Sequence, residues 1–145
     1  MRVYLDNCCF NRPYDDQSQF KVSLETQSKL FIQEQIKIGR LELVDSFILR
    51  YENNENPFTI RRESILDFIK KYSSYYVDYS GFKTQSSLFS EIMDTGIKKK
   101  DAAHVVCAVF GGCEYFLTTD KRLLKYKSDS IEIMNPVSFI DRLEV

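Results

Sequence analysis

The sequence is poor in the residues and runs that would assign it to a specialised class. It has a single histidine, His104, and four cysteines. Cys8 and Cys9 are adjacent while Cys107 and Cys113 stand apart, which forms neither a disulfide framework nor the Cys-x-x-Cys pairs of a zinc site. Reduced and mostly buried thiols are expected instead. No apolar run approaches the ~18 residues needed to span a bilayer, and the longest, Val105 to Phe110, sits between polar neighbours. The opening Met-Arg-Val-Tyr-Leu-Asp has no basic stretch, apolar core and small-residue cleavage site in succession. The expectation is therefore a cytoplasmic protein with no membrane association. A formal net charge of −1 provides no global attraction to a polyanion, and no repeat, linker or low-complexity segment breaks the chain. The 145 residues, 43% hydrophobic and 28% charged, suit one domain over 1–145 with a core large enough to need no covalent staple.

What is present is an alternation of short β-rich runs and helical periods. Arg2 to Leu5 is a strand that stops at Asp6 and enters a loop marked by Asn11 and Pro13. Phe20, Leu24, Phe31, Ile32 and Ile36 then recur at helical spacing within about Ser18 to Ile38, with Asp15, Asp16 and Ser18 available as N-caps and Gly39 as the stop. Leu41 to Val44 predicts a strand, Ser46 to about Glu55 a helix interrupted by Asn56-Pro57, and Thr59 to Tyr72 a further helix. Tyr75 to Tyr79 predicts a strand on its aromatic and β-branched content. Phe82 to Thr95 predicts one helix ending at Gly96. Lys100 to Phe110 predicts another, apolar almost all round and so buried, that stops at Gly111-Gly112. Tyr115-Phe116-Leu117 suits a buried central strand; after it come a short basic helix, a strand at Ile131 to Met134 and a last helix from Pro136. Such an order implies a three-layer α/β/α sandwich with a mostly parallel central sheet.

In parallel sheets ligands bind beyond the carboxyl ends of the strands, and that is where Asp6 and Asp120 fall. Taken singly, each has an ordinary explanation as a helix cap or turn former. Asp101 opens the apolar helix and would stand at the lip of a buried face, although the helix dipole by itself favours an acid there. As a set the acids pose a problem, because crowded carboxylates repel and burial forces some to stay protonated. A divalent metal resolves it: magnesium takes oxygen ligands, keeps several waters, and lets a substrate phosphate complete its shell. Chemistry of that kind needs no histidine or cysteine nucleophile.

Val3-Tyr4-Leu5-Asp6, Glu52 within a helix, Asp101-Ala102-Ala103-His104 and Leu117-Thr118-Thr119-Asp120 together resemble, in order and spacing over nearly the whole chain, the PIN-domain nucleases, many of which are VapC-type toxins. The resemblance implies a parallel α/β/α fold and hydrolysis of RNA phosphodiester bonds at a centre of magnesium or manganese. It also implies a cognate antitoxin protein and a homodimer as partners beside the RNA substrate. It makes Asp6, Asp101 and Asp120 the metal ligands, Glu52 the helix-borne acid, and Thr118 the hydroxyl residue that steadies the site. Glu55, one turn from Glu52, is the alternative for the helix-borne acid. Two positions depart from the pattern. Asn7 stands where a small hydroxyl residue is common, a supporting position, and Arg122 where a further acid or asparagine is common, so the site is expected to hold fewer metals.

Basic residues flank two of the acids. Lys98, Lys99 and Lys100 precede Asp101, and Lys121, Arg122, Lys125 and Lys127 follow Asp120; of these Arg122 and Lys121 are the candidates for phosphate contact, a solvated surface being the plainer account. His104 shares a helix face with Asp101, where pairing with that neighbouring carboxylate is expected ahead of a general-acid role. Tyr72, Tyr75, Tyr76 and Tyr79 could stack on bases, but packing accounts for most of them. A receiver domain would need paired acids near the first strand, and a haloacid-dehalogenase-type phosphatase an Asp-x-Asp where Asp6-Asn7-Cys8 stands, so both are excluded. The rivals that stand are a catalytically inactive PIN-like module binding RNA or protein, and a nuclease acting on DNA.

Overall fold

The computed structural model describes residues 1–143. Five parallel strands form one sheet: β1 (Arg2–Leu5), β2 (Glu42–Ser46), β3 (Ser73–Val77), β4 (Tyr115–Leu117) and β5 (Glu132–Met134), in the spatial order β3-β2-β1-β4-β5. Helices cover the sheet: α1 (Asn7–Asn11), α2 (Phe20–Lys37), α3 (Phe47–Asn54), α4 (Thr59–Tyr72), α5 (Tyr79–Lys83), α6 (Ser86–Asp94), α7 (Lys99–Phe110), α8 (Lys121–Lys125) and α9 (Pro136–Leu143). The α/β class and the parallel sheet are those the sequence implied.

The chain lays down β2 and β3 on one side of β1, then crosses over to place β4 on the other side. That reversal opens a crevice at the carboxyl ends of β1 and β4, the position where doubly wound sheets bind ligands. Val3 pairs with Tyr115, Tyr4 with Phe116 and Leu5 with Leu117, so Asp6 and Thr118 leave the two strands side by side. Val3, Tyr4, Leu5, Phe116 and Leu117 are wholly buried, as strands covered on both faces must be. The rings of Tyr4 and Phe116 stack at 5.3 Å. Helix α7 is buried from Ala102 to Ala108, which fixes the direction of Asp101 at its exposed start.

The structure corrects several boundaries. The segment after Asp6 is not all loop: Asn7–Asn11 forms one helical turn, capped by the Asp6 carboxylate, and Arg12–Tyr14 follows as a 3-10 turn with Pro13 at its start. Helix α2 begins at Phe20 with no side-chain cap. Asp16 instead holds Ser18 in a turn, and Asp15 pairs with Arg12. Its buried stripe is Val22, Glu25, Lys29, Ile32 and Ile36, while Phe20 and Phe31, which the apolar period placed inside, are exposed. Gly39 ends the helix region at φ +81°, a conformation that costs glycine little. Strand β3 starts two residues before its predicted position and ends at Val77, because Asp78 caps α5 through its bond from the Gly81 N–H (2.8 Å). The expected single helix over Phe82 to Thr95 is two, α5 and α6, divided at Thr84-Gln85.

Candidate active site

The four acids come from four separate elements. Asp6 ends β1 and caps α1, Glu52 lies on α3, Asp101 in the first turn of α7, and Asp120 ends the β4 segment and caps α8. All four line one open cleft of about 330 Å³, together with Asn7, Cys8, Asn11 and Asp15. Glu55 is not among the lining residues; it is half-exposed and forms an ion pair with Lys100 at 2.9 Å.

Asp6 is 5% exposed and fixed from both sides. One oxygen accepts from the Asn7 backbone N–H (2.8 Å) and the other from the Thr118 hydroxyl (2.8 Å). The Thr118 Oγ1 in turn accepts from the Asp120 N–H at 3.0 Å, so one buried hydroxyl ties the ends of β1 and β4 together. Asp120 spends one oxygen on the first turn of α8, accepting from the Arg122 N–H at 2.8 Å. Asn7 lines the cleft and its side-chain oxygen accepts from Asn11 Nδ2 (3.3 Å).

His104 is wholly buried. Its partner is not Asp101, one helical turn away on α7, but Glu52 across from α3, bonded to Nε2; the other ring nitrogen, Nδ1, meets the Tyr4 hydroxyl at 2.6 Å. Tyr4 also bonds Ser46 Oγ (2.6 Å), the side chain that caps α3 through the Leu49 N–H (3.1 Å). A buried polar chain therefore runs from the helix cap through tyrosine and histidine to the carboxylate facing the cleft. Burial works against the charge of Glu52, yet the bond and charge of His104 bring its pKa below the ordinary carboxylate range. Asp101 moves the other way: partial burial, then the carboxylates of Asp6 and Asp120, push it up to about 6.

No lysine or arginine lines the cleft among the described residues. Asp15 has its own cation in Arg12 at 2.9 Å, but Asp6, Asp101 and Asp120 form no ion pair among the described residues. Carboxylate oxygens are the donors a hard divalent cation takes, and a cation in the cleft would offset the repulsion that, after burial, raises Asp101. Atoms of Asp6, Glu52 and His104 suited to a metal lie within 4.8 Å of one another. Asp101 and Asp120 line the same cleft outside that close group.

Lys121 and Arg122 are exposed on α8 and do not line the cleft. Lys98, Lys99 and Lys100 gather at the N-terminal end of α7, where cations oppose the helix dipole, so they are not there to complement it. The residues that spacing failed to bring in are Cys8 and Asn11, which reach the cleft through the unforeseen turn α1, Asp15, which follows the 3-10 turn, and Tyr4 and Ser46, which act from inside. Of these Asp15 was marked only as a possible helix cap, Tyr4 only as part of a strand, and Ser46 only as the start of a helical period.

No protein-family profile matches the sequence, and no curated protein matches it. Among solved structures the fold has a clear counterpart. A chain from the crystal structure of VapBC2 from Rickettsia felis bound to a DNA fragment from their promoter aligns with a TM-score of 0.63, over 93% of this chain and 98% of that one, at 15% sequence identity. The likeness is one of fold. What the two chains share is a PIN-like α/β fold with a central parallel sheet.

Proposed function

We propose that the chain is a metal-dependent endoribonuclease that hydrolyses RNA phosphodiester bonds at its carboxylate cleft, with magnesium or manganese as the cofactor. The observation that carries this reading is the convergence of Asp6, Glu52, Asp101 and Asp120 on one open cleft that no lysine or arginine lines. Structural carboxylates seldom gather without a cation, because each adds repulsion and loses hydration. Asp6, Asp101 and Asp120 would hold the ion, and Glu52, drawn to the cleft wall by His104, would be the helix-borne acid. When bound, the ion polarises a phosphoryl oxygen and lowers the pKa of an attacking water. Thr118 and the Asn7 backbone hold Asp6 in one rotamer, so its oxygen need not reorganise for each substrate. Asn7 supports the rim, and Arg122 with Lys121 would meet a flanking phosphate outside the cleft.

The counterpart comes from VapBC2 bound to promoter DNA, and likeness to a member of such a pair supports a cognate antitoxin as partner; we take this chain as the toxin of a type II toxin-antitoxin pair, a homodimer acting in the cytoplasm. Among the described residues no helix is long and apolar enough to cross a membrane.

The deciding experiment is cleavage of a mixed single-stranded RNA panel, with a DNA panel beside it, in magnesium, manganese or EDTA, by wild type and by Asp6→Asn and Asp101→Asn. Metal-dependent RNA cleavage lost in both variants is the expected result. Folded wild-type protein that binds neither ion by calorimetry would leave a PIN-like binding module instead.

A further inference from the structure

Next to the cleft lies a group of side chains that neither packing nor the acid site explains. Tyr14 is 41% exposed and Phe58 58% exposed. Between them stands Arg61, its guanidinium 5.0 Å from the Tyr14 ring centre and 4.5 Å from that of Phe58. Arg61 also donates to the Tyr14 carbonyl (3.4 Å), and among the described residues it pairs with no carboxylate. Two exposed rings held on either side of a cation that no carboxylate neutralises present the surface that a flat, anionic ligand would complement.

The group is joined to the cleft by covalent neighbours and by hydrogen bonds. Tyr14 directly precedes Asp15, which lines the cleft. Asn11, another lining residue, accepts from Asn56 Nδ2 at 3.0 Å, and the Asn56 side-chain oxygen accepts from the Phe58 N–H at 3.1 Å. The turn carrying Phe58 is thus tethered to the cleft wall, and Tyr14, Phe58 and Arg61 line a neighbouring depression of about 490 Å³.

We infer that Tyr14, Phe58 and Arg61 form a base-stacking subsite for an unpaired nucleotide of a single-stranded RNA whose scissile phosphate lies in the acid cleft. The assignment rests on the ribonuclease reading and adds to it the form of the substrate. A duplex cannot offer a free base face to these rings, whereas a single strand can splay one out, and stacking on an aromatic ring tolerates any base. Arg61 supplies both a flat cation for the base and charge for the adjoining phosphate.

The test is equilibrium binding, by fluorescence anisotropy in EDTA, of a labelled single-stranded RNA octamer and of the same backbone lacking bases. It compares wild type with Phe58→Ala, Phe58→Trp and Arg61→Ala, and includes Tyr79→Ala as a control at another exposed tyrosine. Because cleavage is silenced, the outcome does not depend on catalysis. Phe58→Ala is expected to weaken octamer binding about tenfold while leaving the base-free strand unaffected, Phe58→Trp to restore it, and Arg61→Ala to weaken both strands. Octamer affinity in Phe58→Ala equal to wild type, equal losses on both strands, or no octamer binding by wild type would each overturn the subsite. So would sedimentation showing a wild-type dimer that Phe58→Ala dissolves, since the rings would then be covered by a second copy. Metal-dependent cleavage that survives alongside any of these would leave the ribonuclease reading intact; Phe58-dependent binding with no cleavage in magnesium or manganese would do the reverse.

Discussion

Asp45 and Asp6 stand on neighbouring strands of the same sheet, and both are nearly inaccessible, at 0% and 5% exposure. Their partners differ in kind. Asp45 has a cation of its own: Arg50, one turn into α3, reaches it at 2.7 Å, and the Ser46 N–H completes the pair at 2.7 Å. Asp6 has only neutral donors, a threonine hydroxyl, a backbone N–H and the Cys8 thiol, and its charged neighbours in the cleft are other acids. A buried carboxylate that serves the fold carries its countercharge within the fold, as Glu25 does with Arg12 at 2.9 Å. Asp6 has no such countercharge among the described residues, and the proposed metal site rests on that difference.

The sharpest test of that contrast separates activity from stability. Asp6→Asn keeps a cap for α1 and an acceptor for Thr118, so its melting temperature should equal or exceed that of wild type. RNA cleavage in magnesium should fall by on the order of 100-fold or more, the loss of several kcal/mol of transition-state stabilisation. A variant that unfolds and a variant that cleaves normally would each remove the distinction.

Lys29 tests the same rule with the opposite charge. It is 6% exposed, lies over the rings of Phe10 and Phe68, bonds only Gln33, and burial lowers its pKa to about 8. Below pH 8 the folded chain carries the full cost of that buried charge. Between about 8 and its ordinary value the folded state releases the proton while the unfolded state keeps it, so stability should rise with pH, by on the order of 2 to 3 kcal/mol over the window. Urea titrations from pH 7 to 10 should show the rise in wild type and its loss in Lys29→Met.

Divalent ions should act on the cleft alone. At a hundredfold excess over its Kd, magnesium or manganese should stabilise wild type by about 2.7 kcal/mol, and Asp101→Asn should abolish most of that gain in differential scanning fluorimetry. Equal stabilisation of both proteins would move the binding site elsewhere. The smallest effect is expected at the paired acid. Arg50→Met leaves Asp45 buried and uncompensated, but the arginine is 38% exposed, so a loss of about 2 kcal/mol is expected by urea unfolding, with RNA cleavage unchanged.

How far these regions could be seen in advance differs element by element. Helix α4 and strand β4 fall where their patterns put them, because a clean apolar period and a short β-rich run each have one comfortable fold. The stripe of α2 was misplaced because its buried face includes Glu25 and Lys29, whose burial depends on partners in the 3-10 turn, in α9's approach and along its own helix. The turn α1 and the break between α5 and α6 are too short to carry a period of their own. At the site, Asp6 and Asp120 were marked by the strands they end, but the choice of Glu52 over Glu55 depended on which side of α3 faces the sheet. The pairing of His104 with Glu52 joins residues that no spacing rule connects.

The sequence by itself determined the class of fold, the strands that end in acids and the burial of α7, because these follow from local period, strand composition and the chemistry of adjacent residues. Only the tertiary structure decided the strand order that opens the crevice between β1 and β4, the gathering of four acids in a cleft that no lysine or arginine lines among the described residues, and the buried chain from Ser46 to Glu52. Those features join residues from separate elements of the chain, and the electrostatic cost of a carboxylate is set by what lies within a few ångströms of it, which the order of residues along the chain does not state.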